Sequence, residues 1–209
     1  LRQSMLQDID VIAWDFDGVL NRNIINDRFI WVQQFEEDLG ISWHTFAQEM
    51  FTDDFNEVLV GHEDLRDLLS RWADKTGYPG DLDHFLLYWF EKDAHPDFDL
   101  LALMRKLTKT HVRQVIATNN GARRTRYIEE QMGYKDRVET VFASGRMGVA
   151  KPSAEFFIHV TKALKVPANR MLLIDDREEN IMSALDMGWR ALHFTPNTRE
   201  QIIKVLGSF

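Results

Sequence analysis

The 209-residue chain has no cysteine, so neither a disulfide framework nor a thiolate metal site is open to it. Long apolar runs are missing too: nothing approaches the roughly 18 consecutive apolar residues that a bilayer span requires. The stretch Leu1 to Asp10 lacks the charged-then-apolar order of a secretory leader. Together these absences point to a protein of a reducing, cytoplasmic compartment that does not engage membranes. Positive charge is also scarce. With 33 acidic against 25 basic residues, the net charge of −8 is the wrong sign for a general nucleic-acid binder. What remains, 44% hydrophobic and 28% charged residues, is the composition of a globular protein. The length suits one large domain, or a core carrying a smaller insert.

Short apolar runs, each closed by turn residues or an abrupt change in polarity, read as buried strands. They are Asp10 to Trp14, Val112 to Thr118, Thr140 to Ala143, Met171 to Ile174 and Arg190 to Phe194. Between them Asp99 to Lys109, Ala122 to Met132, Ser153 to Leu164 and Asn180 to Met187 read as helices, with Gly133 and Gly188 as C-terminal caps. Such alternation predicts an α/β fold, a parallel sheet with helices on both faces. About ninety residues separate the first two strands, far more than one crossover helix needs. Within them Arg22 to His95 reads as several helices, a separate insert over the sheet. It holds 16 acidic and 6 basic residues, whereas the remainder is nearly neutral. The expected division is therefore residues 1–21 plus 96–209 as the core and 22–95 as a helical domain.

The chemistry is concentrated where strands end, which is where open parallel sheets bind ligands. Asp15 and Asp17 follow the first strand, two apart and so able to point the same way. Asp175 and Asp176 follow the fourth. So many carboxylates in one crevice call for a cation, and hard oxygen ligands favour Mg²⁺. Lys151 brings a positive charge from a third direction, and Thr118 brings a hydroxyl and a backbone N–H. Any one of these features alone is more often a turn or a cap. Each after its own strand, and in this order, they define a site.

The four segments, Ile12 to Leu20, Thr118-Asn119, Lys151-Pro152 and Leu173 to Asp176, resemble in order and spacing the motifs of the haloacid dehalogenase-like (HAD) superfamily. The insert is similar to the helical cap of its phosphoglycolate phosphatase and β-phosphoglucomutase subgroup. The resemblance implies a Rossmann-like core and a Mg²⁺-dependent phosphohydrolase acting on a small phosphorylated metabolite. It implies that Asp15 is the nucleophile, Asp17 the general acid and base, and Thr118, Asn119 and Lys151 the phosphoryl-binding groups. Mg²⁺ would be held by Asp15, Asp176 and the carbonyl of Asp17, with Asp175 acting through water. Asn180 stands where many relatives carry another Asp. Retention of Asp17 favours phosphoryl chemistry over dehalogenation. The motifs do not separate hydrolysis from phosphomutation, of which hydrolysis is the commoner activity. The intact catalytic positions weigh against the alternative of a non-catalytic binding protein, and a monomer is not told from a homodimer.

Other features read as structural. The seven histidines show no ligand spacing and read as solvated or core residues. Arg123, Arg124 and Arg126 read as a solvated helix face rather than a widened positive field. Gly61 to Asp64 reads as a cap turn, and in similar proteins such a turn touches substrate. The insert's 13 aromatics read mainly as its own core. Its acidity predicts a monophosphate with a neutral, hydroxylated leaving group, such as a sugar phosphate.

Overall fold

The computed structural model describes Leu6 and residues 8–209; the leader comparison over Leu1 to Asp10 lies largely outside them. A strand β1 (Val11–Trp14) opens the core. The chain then leaves the sheet for a hairpin, β2 (Ile24–Ile25) and β3 (Arg28–Phe29), and for five helices. These are α1 (Phe35–Leu39), α2 (Trp43–Met50), α3 (Asp53–Leu59), α4 (Leu65–Thr76) and α5 (Leu82–Lys92). It returns through α6 (Phe98–Leu107), β4 (Arg113–Thr118), α7 (Ala122–Glu130), β5 (Val141–Ala143), α8 (Ser144–Met147) and α9 (Ala154–Leu164). The chain finishes with β6 (Met171–Asp175), α10 (Glu178–Asp186), β7 (Arg190–His193) and α11 (Arg199–Leu206).

The sheet is wholly parallel, in the order β5-β4-β1-β6-β7. Its central strands are apolar on both sides because both sides are covered. Ile12, Trp14, Ile116, Leu172 and Ile174 pack into one core layer. Val11, Ala13, Val115, Ala117 and Leu173 alternate into the other, the two-residue period of a strand. Trp14 lies level with Ile116 and Ile174, so the β1 end sits between the slightly longer β4 and β6. The expected strands and helices match β1, β4, β5, β6, β7 and α6, α7, α9, α10 within about two residues, the usual scatter of helix ends. Gly133 and Gly188 have φ of 77° and 81°, as their positions after a helix end require.

The insert differs from the expectation of helices alone. Asn26 and Asp27 have φ of 49° and 60°, the left-handed pair that folds a two-residue hairpin. That turn joins β2 to β3, strands too short to show a pattern in sequence. The final helix α11 and the one-turn α8 were not expected either. The aromatic reading holds for most of the insert: Trp31, Phe35, Phe46, Trp72, Phe85 and Trp89 form its separate core. Burial of each such ring stabilises by roughly 1.5–3 kcal/mol. Phe29 and Phe51, however, are 42% and 40% exposed.

Insert and core meet tightly at one turn. Gly61 has φ of 80°, and a Cβ there would lie 2.2 Å from the backbone oxygen of Gly145. Gly61→Ala should therefore cost about 1–3 kcal/mol and raise KM, because the insert must lift from α8. Thermal melting and steady-state kinetics of the variant check this, and a native melt together with native KM would contradict it.

Candidate active site

The site is built at the C-terminal edge of β1, β4 and β6. The backbone of Asp15 extends the ladder, its N–H donating to the Ile174 carbonyl at 2.8 Å. The chain then turns sharply, and Gly18, at φ 79°, leaves room that a side chain would fill: a Cβ would stand 2.3 Å from Oδ2 of Asp176. Lys151 is 4% exposed and places its ammonium among three acceptors. Its Nζ donates to Asp15 Oδ1 at 2.9 Å, Asp175 Oδ2 at 2.5 Å and the Ala117 carbonyl at 2.7 Å. Asn119 clamps the lysine from behind. Its Nδ2 donates to the Lys151 carbonyl and its Oδ1 accepts the Lys151 N–H, at 2.7 and 2.9 Å. Thr118 is buried, and its hydroxyl accepts from Asn120 at 2.7 Å.

Asp15, Asp175 and Asp176 bring carboxylate oxygens within 4.8 Å of one another. Burial, reinforced by the charge of Asp175, pushes the Asp15 carboxyl well above the usual carboxylate range, although Lys151 opposes the shift. Burial and Asp175 also raise Asp176, to about 6. Burial disfavours the Lys151 charge, but Asp15 and Asp175 overcome it and hold the ammonium protonated. One lysine does not neutralise three carboxylates, so the donor set suits a hard divalent cation. Asp175 is engaged on every side. It faces Lys151, accepts the Asn180 Nδ2 on both of its oxygens at 3.0 and 3.1 Å, and accepts the Arg177 N–H at 2.9 Å. Asp176 is more open, and His193 Nε2 donates to its backbone carbonyl at 2.8 Å. That histidine is neither solvated nor in a core, unlike the sequence reading.

Asp17 lies beside this cluster in a separate network. Arg124 donates to both of its oxygens, at 2.5 and 2.7 Å. Asn23 and Asn120 add donors at 2.8 and 3.1 Å. Burial works against the charge, but Arg124 and the amides hold Asp17 below the usual carboxylate value. Arg124 therefore does not belong to a solvated face. Its side chain is 15% exposed and also pairs with buried Asp93. Arg123 pairs with Asp64 across the cleft, and of the three only Arg126 is exposed. Sequence reasoning missed Asp93, Asn23 and Asn120. The one available signal was Arg124, already noted as a possible source of positive field.

Above the carboxylates the insert closes a cleft of about 730 Å³. Its floor is Asp15, Asp17, Thr118, Asn119, Lys151 and Asp176, and Asp175 lies behind Lys151. Its roof carries Phe29, Trp31, Phe51, Phe55, Leu59 and Trp89. Glu63 and Asp64, from the turn singled out in the sequence, also face it.

The parallel sheet thus carries a carboxylate cluster with a buried lysine at its strand ends, beneath a mainly helical inserted roof. The chain belongs to the haloacid dehalogenase-like hydrolases, whose family model matches residues 9–188. It is 32% identical over 100 residues to the sesquiterpene phosphatase astK of Aspergillus oryzae, covering 48% of this chain. The match takes in 51% of that protein, so the chain spans about half its length. In fold it is similar to a HAD family enzyme of Bacteroides thetaiotaomicron, BT-2542, solved with magnesium and inorganic phosphate. The TM-score is 0.73 at 20% identity, over 90% of this chain and 94% of that one. It is also similar to the L-2-haloacid dehalogenase of Xanthobacter autotrophicus, with TM-score 0.65 at 14% identity, over 94% and 81% of the two chains.

The crowded charges predict how the metal-free protein responds to pH. Asp176 is raised to about 6, and Asp93 is raised by burial to about 7. Both hold their protons more tightly folded than unfolded. Their stabilising contribution is therefore full below about pH 4 and lost as pH rises through 6 to 7. In EDTA the melting temperature should fall between about pH 5 and pH 8, and Mg²⁺ should raise it most at the higher pH. Calorimetry in EDTA and in MgCl₂ measures both; a melt that climbs with pH in EDTA would contradict the electrostatics.

Proposed function

We propose that the protein is a magnesium-dependent phosphomonoesterase that acts through an aspartyl-phosphate on Asp15, and that its substrate is a monophosphate with an apolar leaving group. The observation that carries this is the pairing of a carboxylate–lysine floor with an aromatic roof in a single cleft. The floor fits a divalent ion held by Asp15, Asp176 and the Asp17 carbonyl. Asp175, fully engaged with Lys151 and Asn180, fits the supporting place. When bound, the ion neutralises the carboxylates and draws charge from the phosphoryl oxygens. The magnesium and phosphate named for the Bacteroides enzyme support the same reading.

An Asp15 oxygen attacks phosphorus as the bond to the leaving oxygen breaks, and Asp17 gives that oxygen a proton. Asp17 then takes a proton from the water that attacks the phosphoryl group, which releases phosphate and restores Asp15. Lys151 and Thr118 hold the phosphoryl oxygens. The Asn119 side chain is occupied by Lys151, so it serves by fixing the lysine. The division into residues 1–21 plus 96–209 and 22–95 is supported by the separate aromatic core of the insert.

The roof speaks against a hydroxylated sugar, the leaving group expected from average charge. The charged or amide side chains that the insert adds to the cleft are Asp27, Glu63, Asp64 and Asp93. All are carboxylates, and the last three are already bound to Arg71, Arg123 and Arg124. The cleft's own arginines are likewise paired: Arg123 with Asp64, Arg124 with Asp17 and Asp93, Arg177 with Glu179. None is free for a second phosphate, which favours hydrolysis over a bisphosphate-dependent mutase. Rings and aliphatic chains make up the rest of the roof, a surface for an isoprenoid or alkyl chain. The name of the Aspergillus relative, a sesquiterpene phosphatase, supports this choice.

Asp15→Asn should abolish turnover with the fold intact, and BeF₃⁻ should form its adduct on Asp15 in the parent protein. A variant that keeps near-native rates would end the covalent reading. Along a series of alkyl or prenyl monophosphates, kcat/KM should rise about three- to fourfold per methylene until the cleft is full, at about 0.8 kcal/mol for each. A hexose monophosphate preferred over the whole series would overturn the apolar assignment.

A further inference from the structure

We propose that Asp93 and Arg124 are positioning residues that make the orientation of Asp17 depend on where the cap sits. The proposal rests on the reading of Asp17 as the acid and base of phosphoryl transfer, and adds to it a control that lies outside the motifs.

Arg124 belongs to the core helix α7 and holds four acceptors at once: Asp17 Oδ1 and Oδ2, Asn120 Oδ1 at 2.6 Å and Asp93 Oδ2 at 2.6 Å. Asp93 belongs to the other body. It is the C-terminal cap of α5, the last helix of the insert, and is 3% exposed. Asn23, on the chain's way out to the insert, donates to both carboxylates, to Asp17 at 2.8 Å and to Asp93 at 2.9 Å. Asn21 donates to the Asp93 carbonyl at 2.7 Å and accepts the His95 N–H at 2.6 Å. Both connections of the cap thus end on one buried chain of groups, and that chain ends on Asp17.

The geometry at Asp17 shows what such a link does. Its carboxylate accepts from Arg124 twice and from Asn23, Asn120 and Asn21. A carboxylate has about four lone-pair sites, so every one is taken. An oxygen fully occupied by donors cannot carry a proton to a leaving alkoxide. One oxygen must first be released, and Arg124 is the donor with somewhere else to go, since it already holds Asp93. A cap movement that carries Asp93 takes the guanidinium with it. In this arrangement the cap leaves Asp17 clamped, which protects the site from idle hydrolysis.

The test is the rate of single-turnover phosphorylation on an aryl phosphate, whose leaving group needs little protonation, and on an alkyl phosphate, which needs much. In Asp93→Asn the guanidinium keeps Asp17 as its one carboxylate partner, with the Asn120 amide oxygen beside it. The alkyl rate should fall about tenfold or more, while the aryl rate stays within about twofold. The Asp93→Asn loss should also vanish in an Arg124→Gln background, because the clamp is then absent. Arg124→Lys, which keeps the charge but not the fork, gives a second reading should Asp93→Asn fold poorly, and it too should lose alkyl rate selectively. Equal loss on both substrates, or additive losses in the double variant, would mean that the pair is structural and would overturn the proposal. Asp17→Asn run alongside separates the two readings. If it shows no alkyl-selective loss, the acid assignment fails and the latch falls with it; if only the Asp93 and Arg124 variants lack selectivity, the latch alone fails.

Discussion

Everything in the site answers to one constraint: three carboxylates share a buried corner with a single ammonium. Among the described residues Lys151 is the one cationic side chain bonded to Asp15 and Asp175, and it reaches them from a loop that Asn119 fixes by two hydrogen bonds. The parallel register that brings β1, β4 and β6 level is what makes the corner possible. Gly18 completes it by letting Asp176 pass where a side chain would stand. The corner is held open against its own repulsion by burial and by that lysine. An arrangement so short of positive charge is a binding site for cations before it is anything else.

The parts of this arrangement that are local in sequence could be read from it. An apolar run followed by Asp15-x-Asp17, or by Asp175-Asp176, states both the strand and the group at its end. The helices α6, α7, α9 and α10 could be read from their spacing and their capping glycines for the same reason. What could not be read depends on distant pairing. Arg124 looks like any arginine on a polar helix until Asp93, brought back by the whole insert, and Asp17, held at the end of β1, close around it. The β2–β3 hairpin was hidden because two-residue strands have no period. His193 escaped notice because its partner is a backbone carbonyl.

Charge averaged over the insert says little about the cleft itself. Its excess of acid is spread over the outside, and much of it is locally paired, as in Arg66 with Asp83 or Lys75 with Glu49. The surface that faces the cleft is instead mostly rings and aliphatic chains, and three of its four carboxylates are paired with arginines. A net charge describes the field at a distance, whereas a leaving group meets individual side chains. The aromatics, assigned in sequence mainly to the insert's core, do both tasks: Phe46 and Phe85 fill the interior, and Phe29 and Phe51, at 42% and 40% exposure, line the cleft.

The two connections to the insert cross at nearly one point. The Arg22 N–H donates to the His95 carbonyl at 2.7 Å, and Asn21 forms a bridge with Pro96. Between these crossings the chain makes a closed excursion, so the sheet experiences the same two anchored ends whatever lies between them. Loop closure of this kind costs only slowly more as the excursion lengthens. The roof is therefore a replaceable module. An exchange that begins after Asn23 and ends before Asp93 leaves the register of the sheet, the carboxylate corner and the Arg124 junction in place, while substituting a new wall for the leaving group.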